Sequence, residues 1–399
     1  MTNSSSLSPR RVVITGMGVV APCGIGAEAF WAGLLREPEP GLRRVQDFDP
    51  ALYFDNPKDA RRTDRFAQLG LAAADMALAS AGDLRANPAR IGVNVATGIG
   101  GLATLEEQIL VNYQKDSRRV SPFLVPMMMP NAASAAVSMR YGFQGPCETT
   151  VTACAASTHS IGSAMRYIRW GMVDVMVAGG AESAMTPTAL AGFGNMTALT
   201  RSGISRPFDA ERDGFAMAEA AGVLILEEYE HAVARGATIL GEVLGAGNNA
   251  DAYHITAPSP GGAGAVACME SALVDAGVAK ADIAHINAHG TSTPLNDAAE
   301  AEAIAKVFDG RSPIVTSTKG VTGHALGAAG AIEAVAVLLA MRHRLVPPTA
   351  CTTRLDPDLQ PIDLVLGEAR PWTPGISMSN SFGFGGHNGS LVLGPPPLS

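Results

Sequence analysis

Apolar positions along the chain alternate between two periods. Short β-branched and aliphatic runs stand at Arg11–Thr15 and Ile91–Thr97, each running into a glycine, and read as strands. Between them, Arg65–Ala81 repeats its apolar residues at helical spacing and ends at Gly82, a stop signal. Glu148–Thr152 (ETTVT) reads as a buried strand running into Cys154, with a helix over Ala155–Trp170 and a strand over Val173–Ala178 beyond it. The second half continues with strand Thr238–Leu244, helix Gly264–Ala276, strand His285–Ala288 and helix Ala298–Phe308. Strand Ile314–Ser317, helix Ala325–Arg342 and strands near Ile376–Asn380 and Ser390–Leu393 complete it. This alternation predicts an α/β protein with mostly parallel sheets between helices. No linker, low-complexity tract or readable repeat divides the 399 residues, so the halves are expected to pack as one body.

Composition narrows the class. With 47% hydrophobic and 17% charged residues and 44 glycines, the chain is a turn-rich globular protein. Its net charge of −8 argues against general nucleic-acid binding. The apolar stretch Ala325–Ala340 is short for a membrane span and carries Glu333, so a buried core helix is the better reading and no membrane association is expected. Five cysteines without repeating spacing give neither a disulfide framework nor a zinc pattern; a reducing cytoplasm and no metal are expected. The opening MTNSSSLSPRR lacks the apolar segment of a secretory signal.

Candidate chemistry gathers in the turns after strands. Cys154, in TVTACAAST, precedes a helix opened by the small residues Ala155, Ala156 and Ser157. The dipole and free N–H groups of a helix N-terminus favour a thiolate there, and small neighbours let a long thioester approach. The competing reading is a buried structural cysteine, which describes the other four. His289 lies in NAHGTST after a strand, where α/β folds place ligand contacts, and Lys319 and His324 lie in STKGVTGHALG after another. His159, His231, His254, His285 and His343 lack such a setting and read as structural. In SNSFGFGGHN, the glycines at 383, 385 and 386 permit backbone conformations closed to other residues. Such a turn can aim an N–H at an oxyanion, with Phe384 as a swinging gate and His387 structural. A phosphate-cradling loop is the rival, but no Walker lysine follows, and the GMG at Gly16–Gly18 does not complete a dinucleotide fingerprint.

Together VTACAAS, NAHGTST, STKGVTGH and NSFGFGGHN resemble the active-site motifs of the elongating β-ketoacyl-acyl-carrier-protein synthases, the type II synthase most closely. The similarity runs from about Arg11 to Leu393 and includes RVSPFLVPMMMPN and SRPFDAERDGF. It implies a thiolase fold, two similar βαβαβαββ halves in a five-layered αβαβα body, over residues 11–240 and 241–394, in a homodimer. It implies Cys154 as the acyl-accepting nucleophile, His289 and His324 as the paired histidines, and Lys319 as the motif lysine paired with Glu300. The N–H groups of Cys154 and Phe384 correspond to the oxyanion hole, and Ile99, Thr256, Thr291, Thr293 and Phe382 to substrate-binding positions. No cofactor of its own is implied, because 4′-phosphopantetheine arrives on the acyl carrier protein. A degradative thiolase is the rival on this fold, but it places a second cysteine where His324 stands; a chain-length-factor partner lacks the nucleophile altogether.

The carrier in such systems is acidic, and Lys58, Arg61, Arg62, Arg118 and Arg119 occupy stretches where the family presents basic docking residues. Two places depart from the family pattern. Thr197, in GFGNMTALTRSGISRPFD, stands where an arginine is typical, and several loop residues are missing; Leu295 and Asn296 replace a small pair after TSTP. Both fall near the expected malonyl and pantetheine mouth. They suggest, as an alternative role, a specialised or inhibitor-insensitive duplicate serving resistance to a malonyl-site inhibitor.

Overall fold

The computed structural model describes residues 10–397. The first half runs β1 (Val12–Ala21), α1 (Arg65–Ala81), β2 (Ile91–Ala96), α2 (Ala132–Tyr141), β3 (Cys147–Glu148), α3 (Ala156–Arg169), β4 (Val175–Glu182), β5 (Ala220–Glu228). The second repeats that order as β6 (Gly241–Ala250), α4 (Ala263–Ala276), β7 (Ile283–Asn287), α5 (Pro294–Val307), β8 (Ile314–Thr316), α6 (Ala329–His343), β9 (Ile376–Gly383), β10 (His387–Gly394). Each half is βαβαβαββ. The strand order β8-β7-β9-β10-β6 in one is mirrored by β3-β2-β4-β5-β1 in the other, and a short antiparallel pairing of β1 with β6 joins them.

The half-sheets are mixed rather than mostly parallel. Strands joined through crossover helices are parallel, as in β2 with β3 and β4, or β7 with β8 and β9. Each half, however, closes with a strand that returns against its predecessor, β5 on β4 and β10 on β9, and a return without a crossover helix over the sheet is antiparallel. The expected buried strand Glu148–Thr152 is also corrected. Only Cys147–Glu148 pairs as strand, at the sheet's edge, where both residues are exposed; beyond it Thr149, Thr150 and Thr152 are only partly buried and Val151 is exposed.

Five layers follow from which faces are apolar. Helices α1 and α2 cover one half-sheet, α4 and α5 the other, and α3 and α6 lie between the two. The layers are filled by three clusters, seen in Phe66, Leu69 and Ile225; in Ile161, Met165, Val335 and Leu339; and in Met269, Ile286 and Val392. At about 25 cal/mol per Å² of apolar surface, such cores supply most of the drive to fold. Helix α6 is buried through all residues from Ala329 to Met341, so it has no polar face, as expected of a core helix. Helix α1 begins where the Asp64 carboxylate accepts the Phe66 N–H at 3.1 Å and ends at Gly82, with φ +72°. The GMG of β1 is a packing device: a Cβ at Gly18 would lie 2.0 Å from the Ala73 carbonyl of α1. Gly247 of β6 is pressed likewise, its Cβ position 2.1 Å from the Cys268 carbonyl of α4.

Candidate active site

Both central helices are entered through a strained turn. Residues Ala153–Ala155 form a 3-10 turn into α3, and Leu326–Ala328 form one into α6. Ala153 has φ +49° and Leu326 φ +44°, values that cost non-glycine residues energy and that persist where the surrounding structure enforces them. The first turn presents Cys154 and the second follows His324, so the middle layer delivers both side chains to one place. His324 Nε2 lies 3.1 Å from Cys154 Sγ. His289, just beyond β7, brings its ring centroid to 5.3 Å from that of His324 at an interplanar angle of 83°.

Burial controls the protonation states. The Cys154 side chain is enclosed, and burial pushes its thiol up to about 11; the Lys319 charge and the backbone N–H of Phe384 pull it only partly back. The expected dipole stabilisation of a thiolate is therefore outweighed, and Cys154 rests as a thiol, because removing a charge from water costs more than one helix end returns. Both histidines are held well below 6.5, by burial first and then by the positive charge of Lys319. The site thus contains two neutral imidazoles. The ligand atoms of Cys154, His289 and His324 lie within 4.8 Å of one another, a spacing that would admit a metal ion. Neither Nδ1 has a hydrogen-bond partner among the described residues, so the outer contact that orients metal-ligating histidines is missing.

Lys319 is paired with Glu333 of α6, not with Glu300. Lysine and glutamate are both enclosed, and burial raises the Glu333 carboxyl while Lys319 pulls it down. Glu300 is occupied elsewhere: its oxygens accept the backbone N–H groups of His289 at 2.8 Å and Gly290 at 2.7 Å. It fixes the turn that carries His289, and it feels the Lys319 charge without pairing with it.

The cavity above the cysteine has a volume of about 490 Å³. Cys154, His289 and His324 line it, as do Thr256, Thr291, Thr293, Phe382 and Phe384. So do the unusual residues Thr197, Leu295 and Asn296. Phe384 stands against Phe193 with ring centroids 6.4 Å apart, and Phe193 in turn packs edge-on against Phe215 at 5.9 Å. Ile99 is not brought into the lining. Glu182 accepts the Gly98 and Gly327 N–H groups at 2.6 and 3.1 Å, which fixes the neighbouring turn with Ile99 37% exposed. Lys58, Arg61, Arg62, Arg118 and Arg119 are exposed and outside the cavity. The Arg62 guanidinium lies 4.7 Å from the centroid of the Phe123 ring, which brings the two basic stretches onto one surface.

Sequence reasoning missed several members of this neighbourhood. Phe193 and Arg212 line the cavity, and Glu182 braces it from behind. Arg212 had a signal in SRPFDAERDGF; its buried guanidinium binds Asp356 at 2.5 Å and the Asp209 carbonyl at 2.8 Å. Phe193 and Glu182 carried none beyond membership of apolar or strand-like runs.

Comparison with known proteins agrees with this geometry. The family model "Beta-ketoacyl synthase, N-terminal domain" matches residues 37–232, and "Beta-ketoacyl synthase, C-terminal domain" matches 240–353. The 3-oxoacyl-[acyl-carrier-protein] synthase 2 of Synechocystis is 42% identical, over 98% of this chain and 99% of that one. The solved ishigamide ketosynthase/chain length factor superposes with a TM-score of 0.92 at 34% identity, covering 98% of this chain and 100% of that one. A type II polyketide ketosynthase solved with its acyl-carrier protein and bound to the hexaketide superposes at 0.87 and 31% identity, covering 97% and 100%.

Proposed function

Because the chain belongs to the β-ketoacyl synthase family, we propose that Cys154 is its acyl-accepting nucleophile and that His289 and His324 serve the malonyl half-reaction. The enzyme is a 3-oxoacyl-acyl-carrier-protein synthase, an acyltransferase that condenses a cysteine-bound acyl chain with malonyl-carrier in fatty-acid elongation. It uses no free cofactor, since the pantetheine thiol belongs to the carrier. On this reading the two halves, over 11–240 and 241–394, close around the shared site.

The observation that carries the assignment is the 3.1 Å contact between Cys154 Sγ and His324 Nε2 at the wall of the cavity. Resting as a thiol, Cys154 gives its proton to the nearest base, His324 Nε2, as sulfur attacks the acyl thioester; the pantetheine thiolate leaves and takes that proton. The tetrahedral oxygen is held by the N–H groups of Cys154 and Phe384, both of which already lean on the sulfur. Malonyl-carrier then loses carbon dioxide, and the electron pair moves onto its thioester as an enolate. Neutral imidazole N–H groups can stabilise that oxygen without offering the ready proton of an imidazolium. The enolate carbon attacks the acyl carbonyl, and the Cys154 thiolate leaves and takes a proton from water to return to the resting thiol. Thr291 and Thr293, with hydroxyls 2.9 Å apart on the cavity wall, are suited to the pantetheine amides.

Two partners complete the reading. The exposed basic residues around Arg62 and Arg118 are the docking surface for an acidic carrier. A homodimer forms through the edge beside β3, where Val151 is 47% exposed and an unpaired strand edge invites pairing with a second copy. Incubation with acyl-carrier should add one acyl mass to Cys154, and malonyl-carrier should then discharge it as 3-oxoacyl-carrier. Acylation elsewhere, or none, would overturn the assignment. A second role, resistance to malonyl-site inhibitors, is favoured by one observation: Thr197, Leu295 and Asn296 all line the cavity.

A further inference from the structure

The two N–H groups of the oxyanion hole come from chain segments far apart in sequence, the turn before α3 and the turn between β9 and β10. Their separation must therefore be set by something that spans both. Part of the spacing is contact: a Cβ at Gly383 would lie 3.0 Å from the Cys154 nitrogen and would press the two segments apart by a few tenths of an ångström. Thr158 and Ser381, with hydroxyls 2.7 Å apart, tie α3 to β9, and one further side chain ties the turns themselves. His159, on the first turns of α3 and 5% exposed, places Nε2 2.9 Å from the Asn388 carbonyl oxygen and Nδ1 2.9 Å from the Thr152 hydroxyl.

The partners fix the tautomer. A carbonyl only accepts, so Nε2 carries the proton and donates; Nδ1 is then the acceptor, and Thr152 donates to it. Thr152 is two residues before the nucleophile, and its carbonyl accepts the Ala155 N–H at 3.1 Å, closing the turn that carries Cys154. Asn388 is four residues after Phe384, and its amide nitrogen donates to Asp251 at 2.7 Å, whose own N–H donates to Gly386 at 2.8 Å. The imidazole therefore ties the nucleophile turn to the turn that carries Phe384. It does not itself line the cavity, although Asn388, whose carbonyl it holds, does.

We propose that His159 is a positioning residue whose bridge between Thr152 and Asn388 sets the distance between the two oxyanion donors. The proposal rests on the assignment of Cys154 as nucleophile and deepens it. A displaced donor weakens acyl transfer, which builds negative charge on a carbonyl oxygen, far more than alkylation of the same sulfur by iodoacetamide, which displaces iodide, forms no oxyanion and feels that N–H only through its pull on the thiol. Removing one oxyanion donor typically costs about 10²–10³ in rate, so a shifted one should cost less.

The test measures both reactions of Cys154 by intact mass, using acyl-carrier and iodoacetamide, in the full-length protein. His159→Gln keeps a donor for Asn388 and loses Thr152, Thr152→Val loses the same bond from the other side, and His159→Asn keeps an acceptor for Thr152 and loses Asn388. Each should slow acyl transfer roughly tenfold, and His159→Leu about a hundredfold, with alkylation within about twofold throughout. If His159→Leu does not fold, the other three decide the question. Unchanged acyl transfer in the variants, or equal loss of both reactions, would overturn the bridge. An unsubstituted protein that takes no acyl group at Cys154 would instead overturn the nucleophile assignment beneath it.

Discussion

Lys319→Met tests the pairing beneath the active site. Lysine and Glu333 are both enclosed, so removing the ammonium leaves a carboxylate with no counter-charge and no access to water. Breaking a buried pair from one side costs about 3–5 kcal/mol. The carboxylate can escape part of that by taking up a proton. Burial already holds its value up at about 7 with Lys319 in place, so that route is open near neutral pH. A loss of about 3 kcal/mol is a large share of the roughly 5–15 kcal/mol that holds a typical domain. Denaturant midpoints should fall accordingly in Lys319→Met and recover in large part in Lys319→Met/Glu333→Gln, which removes the stranded charge. Lys319→Met/Glu300→Gln should show no recovery, because Glu300 is committed to the His289 and Gly290 N–H groups. Recovery through Glu300 and not Glu333 would refute the pairing. The same variant has a kinetic signature. The Lys319 charge helps hold both imidazoles neutral, so its loss raises their values and populates imidazolium at higher pH. The acid limb of malonyl decarboxylation should move toward neutrality.

Cys154→Ser should abolish condensation, because an alcohol is a much poorer nucleophile; near-normal elongation would end the central assignment. Since burial raises the Cys154 thiol to about 11, its alkylation by iodoacetamide should rise roughly tenfold per pH unit from neutral pH without levelling below about pH 10, and a plateau near pH 8 would show a stabilised thiolate instead. His289→Ala should impair decarboxylation much more than acyl loading, whereas His324→Ala, removing the group 3.1 Å from Sγ, should slow both half-reactions; equal effects of the two substitutions would contradict this division. An arginine at 197 would offer up to five donors and a permanent charge where Thr197 offers one hydroxyl, already turned to the Met196 carbonyl at 2.7 Å. Thr197→Arg with Leu295→Ala and Asn296→Gly should therefore tighten rigid malonyl-site inhibitors by about tenfold or more, and tight binding by the unsubstituted protein would refute the resistance reading.

Helix α1 was legible to the residue because Asp64, an alternating apolar face and Gly82 are all local signals. The three site side chains were legible for a similar reason: each follows a strand in a turn of small residues. What failed was whatever depended on distant partners. Glu300 and Glu333 are both buried acids near the motif lysine in sequence, and nothing local says which one α6 carries up to it. The edge position of Cys147–Glu148 depends on which strand lies beyond it, so ETTVT looked buried on composition alone. His159 looked structural because one of its partners, Asn388, lies in a motif more than two hundred residues away. The internal repeat left a trace that went unread. Gly16-Met17-Gly18 and Gly245-Ala246-Gly247 hold matching places on β1 and β6, each letting a helix press onto a strand.

The matching strained turns before α3 and α6 bear on ancestry. A half-length chain that paired with its own copy about a two-fold axis would have presented the same turn twice, face to face, with identical side chains. Joining two such copies in one gene frees the turns to diverge. Cys154 sits inside its turn and His324 two residues before the other, so their contact joins non-equivalent positions of the repeat, and once joined each half could keep only one of the two.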